Sequence, residues 1–309
     1  MENEKNESQK KELSKELLKE ASQKYNLSDS LLEEIREIRQ YLHTNPELSG
    51  KEYKTTEFIK KFLTEHDIKI LPFTLKTGVI AEIGEGEKIV ALRADIDALP
   101  INEMTDYPYK SQNDGVMHAC GHDFHTASLL GAAKVLKERE KELKGRVRLI
   151  FQPAEEINAG AKEVIASGAL EEVSAIAGIH NKPDLPLGTI GIKSGPLMAA
   201  VDRFEVKING TGTHAAAPQN GNDPIVTASQ IVTSIQSIVS RYVSPADMAI
   251  ISVTRISGGN TWNVIPESVE MEGTMRTFKK SVQERIKKLF IQVIKNYTEA
   301  FEQKYEILW

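Results

Sequence analysis

A single cysteine stands among 309 residues, so no internal disulfide framework is possible, which suits a reducing cytoplasm. No apolar run approaches the roughly 18 residues that a membrane-spanning helix needs. The N-terminus lacks the apolar stretch of a secretory signal peptide. Basic charge is not in excess either. With 39 Lys and Arg against 44 Asp and Glu, the formal net charge is -5, which argues against a nucleic-acid partner held through its phosphates. What remains is an ordinary globular composition, 40% hydrophobic and 27% charged, in a chain long enough for about two domains.

The lone cysteine lies in Met117-His118-Ala119-Cys120-Gly121-His122-Asp123-Phe124-His125. A Cys-x-His pair offers a thiolate and an imidazole, both accepted by zinc, manganese or cobalt. The intervening glycine permits a turn tight enough for both to face one point. A buried structural cysteine beside surface histidines is the competing explanation.

Residues 1–30 are rich in Lys, Glu, Gln and Ser, and read as a charged extension, either a solvated helix around Leu13, Leu17 and Leu18 or a frayed tail. Leu31, Ile35, Ile38 and Leu42 then recur at helical spacing up to Asn45-Pro46, and Phe58, Ile59, Phe62 and Leu63 mark a second amphipathic helix. His43 and His66, near the ends of these helices, are read as structural or exposed. Strands are expected at Val79 to Ile83, Ile89 to Leu92, Val147 to Phe151 and Ala175 to Ile179, with helices at Thr126 to Lys137 and near Lys162 to Ala166. This alternation predicts an α/β sheet buried on both faces.

Three of the strands run into chemistry-bearing residues. Ala91-Leu92-Arg93 leads to Asp95 and Asp97, Leu149-Ile150-Phe151 to Glu155-Glu156, and Ile176 to Ile179 ends at His180. Ligands of open α/β sheets bind beyond the carboxyl ends of the strands, so acids and a histidine gathered at that edge, together with Cys120 and His122, favour a metal site over helix caps. A thiolate or carboxylate can bridge two divalent cations roughly 3.5–4 Å apart. In such a site one member of the Glu155-Glu156 pair binds metal while the other is free to act as general base.

From about Lys193 the pattern changes. Strands at Val201 to Ile208, Ala249 to Ile256 and Val269 to Arg276, with helices at Asp223 to Val239 and Lys280 to Gln303, describe an α+β domain with its helices on one face of an antiparallel sheet. Its polar punctuation includes His214, Asn263 and Arg276, natural places to seek a substrate anchor.

Taken together, Leu42 to Ser49, Arg93 to Pro100, Met117 to Thr126, Phe151 to Glu156, Gly210 to Ala217, Asn263 to Pro266 and Gly273 to Arg276 resemble the dinuclear metallopeptidase and aminoacylase family of N-acyl-amino-acid amidohydrolases. That family includes hippurate hydrolase, the indole-acetyl-amino-acid hydrolases and N-acetyldiaminopimelate deacetylase. The resemblance runs from about Leu31 to the end of the chain. It implies a catalytic α/β domain over residues 31–193, with its metal site at the strand ends. Residues 194–309 would then form a ferredoxin-like βαββαβ lid that also mediates a homodimer.

By the same resemblance Cys120 bridges two divalent ions (manganese, zinc, cobalt or nickel), His122, Glu156 and His180 complete the ligands, and Glu155 is the general base. Asp97 supports the site from behind, and Asp95 stands where the wider superfamily has a metal-binding histidine. His214, Asn263 and Arg276 polarise the scissile carbonyl or hold the substrate carboxylate. Gln219 occupies a position where many relatives have histidine.

The implied activity is cytoplasmic, metal-dependent hydrolysis of the amide of an N-acyl amino acid or small peptide-like substrate, with no nucleic-acid or membrane partner. In the family the catalytic domain resumes after the lid and supplies one more metal-binding histidine, and no histidine follows His214 here. The resemblance therefore implies a C-terminally truncated member that holds one metal firmly and the second weakly and tends to associate. Two rival readings are a hydrolase using Cys120 as its nucleophile and a catalytically impaired member that only binds acyl-amino acids or associates through its lid.

Overall fold

The computed structural model describes residues 27–309; the expected helix around Leu13, Leu17 and Leu18 lies outside them. The chain divides into two compact units, with the boundary between Ile190 and Gly191.

The first unit opens with α1 (Asp29–Thr44), started by Ser28, whose hydroxyl accepts the N–H of Leu31, and stopped at Asn45 before Pro46. Then come α2 (Tyr53–Glu65), the short strand β1 (Lys69–Ile70), β2 (Val79–Ile83), β3 (Ile89–Asp95), α3 (His122–Glu138), β4 (Arg146–Gln152), α4 (Gly160–Ala166) and β5 (Val173–Gly178). They build a five-stranded sheet in the order β1-β2-β4-β3-β5. β3 is parallel to both β4 and β5, whereas β2 runs antiparallel to β4. The carboxyl ends of β3, β4 and β5 therefore share one edge, as the sequence pattern predicts.

Alternating strand residues feed two cores. Ala81, Leu149 and Phe151 pack with Leu42, Ile59, Leu63 and Leu130 of the helices α1, α2 and α3. Ile80, Ala91 and Ile150 point to the opposite face, against Val164 of α4 and Ala169. Each fully buried Val, Leu, Ile or Phe among them contributes about 1.5–3 kcal/mol.

Burial on both faces holds for β2 and β4 but not for β5, whose residues from Ser174 onward are exposed. This corrects the expectation of uniform burial. β5 is an edge strand, with a neighbour on one side only among the described residues. Glu82 of β2 is ion-paired inside the sheet with two arginines of β4, Arg148 and, at 3.2 Å, Arg146. Glu82 of β2 sits opposite Arg148 of β4, both nearly buried, with Arg148 Nη2 at 2.8 Å from Glu82 Oε2 and Nη1 donating to the carbonyls of Ala169 and Glu171.

The second unit has the order β6 (Ala200–Asn209), α5 (Pro224–Tyr242), β8 (Ala249–Gly258), β10 (Ser268–Thr277), α6 (Lys280–Ala300) and β11 (Lys304–Leu308), with β7 (Thr213–His214) paired to β9 (Val264–Ile265) as a small ribbon. Its four-stranded sheet runs β11-β6-β10-β8 with every pairing antiparallel, which is the βαββαβ arrangement. Phe204, Val206, Ile208, Met271 and Met275 alternate inward to meet Ile231 and Ile235 of α5 and Ile286, Phe290 and Ile294 of α6. Asp223 caps α5 by accepting the N–H groups of Ile225 and Val226, with Pro224 at the first helical position. The last helix stops at Ala300 rather than Gln303. Glu302 turns into the left-handed region at φ 53°, and the chain reverses into β11 alongside β6.

Candidate metal centre and catalytic site

The lone cysteine and its neighbours sit where β3 has just ended. Gly121, at φ 83°, ends the preceding loop and starts α3, and a Cβ there would lie 2.4 Å from the Asn181 side chain. Only glycine fits both the backbone and the space. The turn brings Cys120 Sγ to 3.5 Å from His180 Nε2. Potential ligand atoms of Cys120, His122 and His180 all lie within 4.8 Å of one another, as do those of His122, Glu155 and Glu156. The metal-site residues expected from the sequence thus meet at one place.

The tautomers suit a cation. His122 Nδ1 donates to the Asp97 carbonyl at 2.8 Å and faces Asp97 Oδ1 at 3.2 Å, leaving Nε2 with its lone pair toward the cluster. His180 Nδ1 likewise donates to the Asn181 carbonyl at 2.8 Å, so its Nε2 is the nitrogen that faces Cys120. His122 Nε2 and Glu156 Oε1 are buried, have no hydrogen-bond partner among the described residues, and stand 3.7 Å apart. A buried imidazole nitrogen and carboxylate oxygen that face each other beyond hydrogen-bond reach are costly unless a cation joins them. Burial alone would lower the pKa of His122, but the Asp97 hydrogen bond and the charges of Asp95, Asp97 and Glu156 raise it. The same field attracts a metal.

The thiol argues the same way. Burial first, and then the Glu156 carboxylate, push Cys120 up to about 12, so the protein alone does not make a thiolate nucleophile at neutral pH. A bound divalent ion deprotonates a coordinating thiol outright.

The two glutamates differ. Glu156 is the more buried, and its own N–H donates to Asp97 Oδ2 at 3.0 Å. Glu155 is 39% exposed at its side chain, with Oε2 4.0 Å from His122 Nε2. Partial burial and the neighbouring Glu156 charge raise its pKa. Asp97 accepts three donors, from His122, Glu156 and the hydroxyl of Ser49 at 2.7 Å.

Sequence reasoning gives His125 no role. His125 is buried one helical turn after His122. Its Nδ1 donates to Asp95 Oδ1 at 2.6 Å and its Nε2 accepts the Asn181 N–H at 2.9 Å, so both nitrogens are engaged. Asp95 is within ligand distance of His122 as part of a group with His125. Its oxygens are already taken by His125 and by Arg93 Nη1 at 2.6 Å. Burial opposes its ionisation, but the His125 hydrogen bond and the His122 and Arg93 charges bring its pKa down to about 2. The i, i+3 spacing of His122 and His125 is the signal that could have found it.

Beside the cluster, Arg39, His43, Glu103, Tyr107, His118 and Phe124 line a cavity of about 320 Å³ that reaches Gly121 and Asn181. His43, expected to be structural or exposed, is structural. Its Nδ1 and Nε2 face Asp123 Oδ2 at 2.9 Å and Glu103 Oε1 at 3.2 Å. His66 is also structural, its Nδ1 donating to the Phe62 carbonyl.

In the second unit, His214 and Asn263 adjoin across the β7–β9 ribbon, where Ala215 N–H donates to the Asn263 carbonyl at 3.0 Å. Arg276 does not join them. It is paired with Val201 near the far end of β10, eight residues beyond Ser268, a distance of roughly 26 Å along the strand.

Residues 91–303 match the model of peptidase family M20/M25/M40. The chain belongs to that family. It is 55% identical over 294 residues to an N-acetyl-L-cysteine deacetylase of Bacillus subtilis, covering 94% of this chain and 70% of that protein. An N-acyl-L-amino acid amidohydrolase of Geobacillus stearothermophilus is 41% identical, with 91% of this chain and 76% of that protein covered. Among solved structures of the family, a dinuclear metal-binding peptidase from Bacillus subtilis superposes with a TM-score of 0.80 at 48% identity, over 91% of this chain and 74% of that one.

Proposed function

We propose that this protein is a metal-dependent amidohydrolase that cleaves the amide bond of N-acyl amino acids or small peptide-like substrates. The observation that carries the proposal is the pair of buried ligand atoms, His122 Nε2 and Glu156 Oε1, without hydrogen-bond partners among the described residues and beside Cys120 and His180. The names of its relatives, a deacetylase of N-acetyl-L-cysteine and an amidohydrolase of N-acyl-L-amino acids, supply the substrate class.

Cys120, His122, Glu156 and His180 would hold two divalent ions such as manganese, zinc, cobalt or nickel. When bound, such ions lower the pKa of water and polarise a carbonyl. Glu155, the more exposed glutamate with a raised pKa, takes the proton of the attacking water and returns it to the leaving amine. Asp97 orients His122 and fixes the backbone of Glu156. His214 with Asn263, and separately Arg276, are the proposed substrate anchors. Residues 194–309 are proposed as a lid through which two copies associate, for which the outer edge of β8, with Ile250 and Ile256 exposed, offers a surface. A cytoplasmic setting fits the single cysteine. None of the described helices is long and apolar enough to cross a membrane.

The test is to assay release of free amino acid from a panel of N-acetyl amino acids before and after chelation. EDTA should abolish release, and manganese, cobalt or zinc should restore it. Activity that ignores the chelator but is blocked by thiol alkylation would replace this reading with a Cys120 nucleophile.

A further inference from the structure

Glu52 is 0% exposed and lies just ahead of α2 without capping it by its side chain. Its carboxyl group is spent on three other segments. Oε1 accepts the N–H of Gly50 at 2.9 Å and of Ala154 at 2.8 Å, and Oε2 accepts the Thr77 hydroxyl at 2.7 Å. Burying a carboxyl group is unfavourable unless its partners are equally in need of it. Here the Ala154 N–H is one such partner, buried at the point where β4 gives way to the glutamate pair.

Ala154 has φ 47°, a left-handed conformation that a residue with a Cβ adopts only when its surroundings impose it. Both of its backbone polar groups are held. The N–H goes to Glu52, and the carbonyl accepts the N–H groups of Ala159 at 3.2 Å and Gly160 at 3.1 Å. The turn is closed so tightly that a Cβ on Gly160 would lie 1.6 Å from the Pro153 carbonyl oxygen. Glu155 and Glu156 come directly after, and the Glu156 N–H lands on Asp97 Oδ2, which also takes the hydroxyl of Ser49, next to the Gly50 that Glu52 holds. One carboxyl group thus ties together the two loops that carry Ser49 and the glutamates.

We propose that Glu52 is a positioning residue: by holding the left-handed Ala154 it sets where Glu155 and Glu156 stand. Its consequence for catalysis rests on the metal-hydrolase reading above, but the clamp itself does not.

The experiment compares the full chain with its Glu52→Gln and Glu52→Ala variants. Glutamine keeps an oxygen for the Gly50 and Ala154 N–H groups and turns its amide toward Thr77, whose hydroxyl can rotate to accept. Alanine leaves the N–H groups buried and unpaired. Hydrogen exchange of residues 153–160, followed by mass spectrometry, should be about 10–100-fold faster in Glu52→Ala, the factor a lost buried hydrogen bond corresponds to. It should stay near the parent rate in Glu52→Gln, and β2 and α3 should be unchanged in both. Cobalt affinity, titrated with the metal alone, and kcat at saturating cobalt should each fall about 10–100-fold in Glu52→Ala, with KM unchanged and with recovery in Glu52→Gln.

The proposal is overturned if exchange of residues 153–160 does not respond to Glu52→Ala, if it rises equally in β2 and α3, or if Glu52→Gln behaves like Glu52→Ala. A parent chain that neither binds cobalt nor hydrolyses the substrates would remove the proposed function, while the exchange comparison would still decide the clamp.

Discussion

The two sides of the candidate metal site are built differently. On one side, His122, Asp97 and Glu156 are buried and interlocked. Asp97 holds the His122 ring, the Glu156 backbone and the Ser49 hydroxyl at once. On the other, His180 is exposed at the end of an exposed edge strand; one backbone carbonyl holds its Nδ1, and its ring stands edge-on to those of His125 and His122. Both histidines present Nε2, yet only the first is buried and has its ring held by a carboxylate. Ligand geometry that several side chains fix can be lost by a single substitution. Geometry supplied by a main-chain carbonyl survives almost any substitution but tolerates more motion.

The largest effect is expected where neither arrangement but the chemistry itself is touched. Glu155→Gln should leave metal content as in the parent and lower kcat by about 10²–10⁴-fold, the usual contribution of a general base. Metal analysis alongside single-turnover kinetics checks it, and a variant keeping more than a tenth of the parent rate at full occupancy would free Glu155 of that role. The comparison between the two sides predicts a smaller, unequal pair of effects. Asp97→Asn should weaken cobalt binding by about 10–100-fold. Asn181→Ala, which spares the carbonyl that holds His180, should weaken it by clearly less. Equal losses in calorimetric titrations would break the distinction.

The smallest effect concerns stability beside the buried side. The Asp123 hydrogen bond raises the pKa of His43 above its usual 6.5 against an opposing burial effect, and Glu103 adds to it. A raised histidine pKa gives stability that is complete below 6.5 and is lost as pH rises through the folded value. Burial acts against ionisation of Glu103, yet its donors, His43 among them, hold its pKa below the usual 4.5, so its contribution is lost on acidification through that lower folded value. The cluster should therefore stabilise most between about pH 4.5 and 6.5. His43→Gln should lower stability at pH 6 by about 1.5–3 kcal/mol and flatten its decline toward pH 9 in urea titrations. An unchanged slope would mean the ring is not charged in the folded protein.

Much of this was legible in the chain, for identifiable reasons. Strands β3, β4 and β5 each run directly into acids or a histidine, and parallel neighbours must deliver Asp97, Glu155-Glu156 and His180 to one edge. The order of the second unit is visible in the clean alternation of β6 and β10. What escaped is equally physical. His125 looked like one more histidine because its partner Asp95 is 30 residues away in sequence. Glu52 was hidden among Glu47, Lys51 and Glu57, where a charged residue ordinarily means solvent. β1 has only two residues, too few for periodicity to show. The exposure of β5 is invisible to a pattern of Ile and Ala that reads as buried.

The Glu82–Arg148 pair bears on assembly of the fold. The two residues face each other directly across the β2–β4 ladder, on strands whose other side chains are apolar except for Arg146 and Gln152 at the ends of β4. If β4 slid by one position along β2, Arg148 would be driven to the opposite face of the sheet, away from Glu82, where an uncompensated buried charge costs about 3–5 kcal/mol. The pair therefore penalises any one-residue slip, which would turn the wrong face of β4 to the helices. A two-residue slip would place Arg146, which already reaches Glu82 at 3.2 Å, opposite the same carboxylate, so what the charges choose is the face of β4.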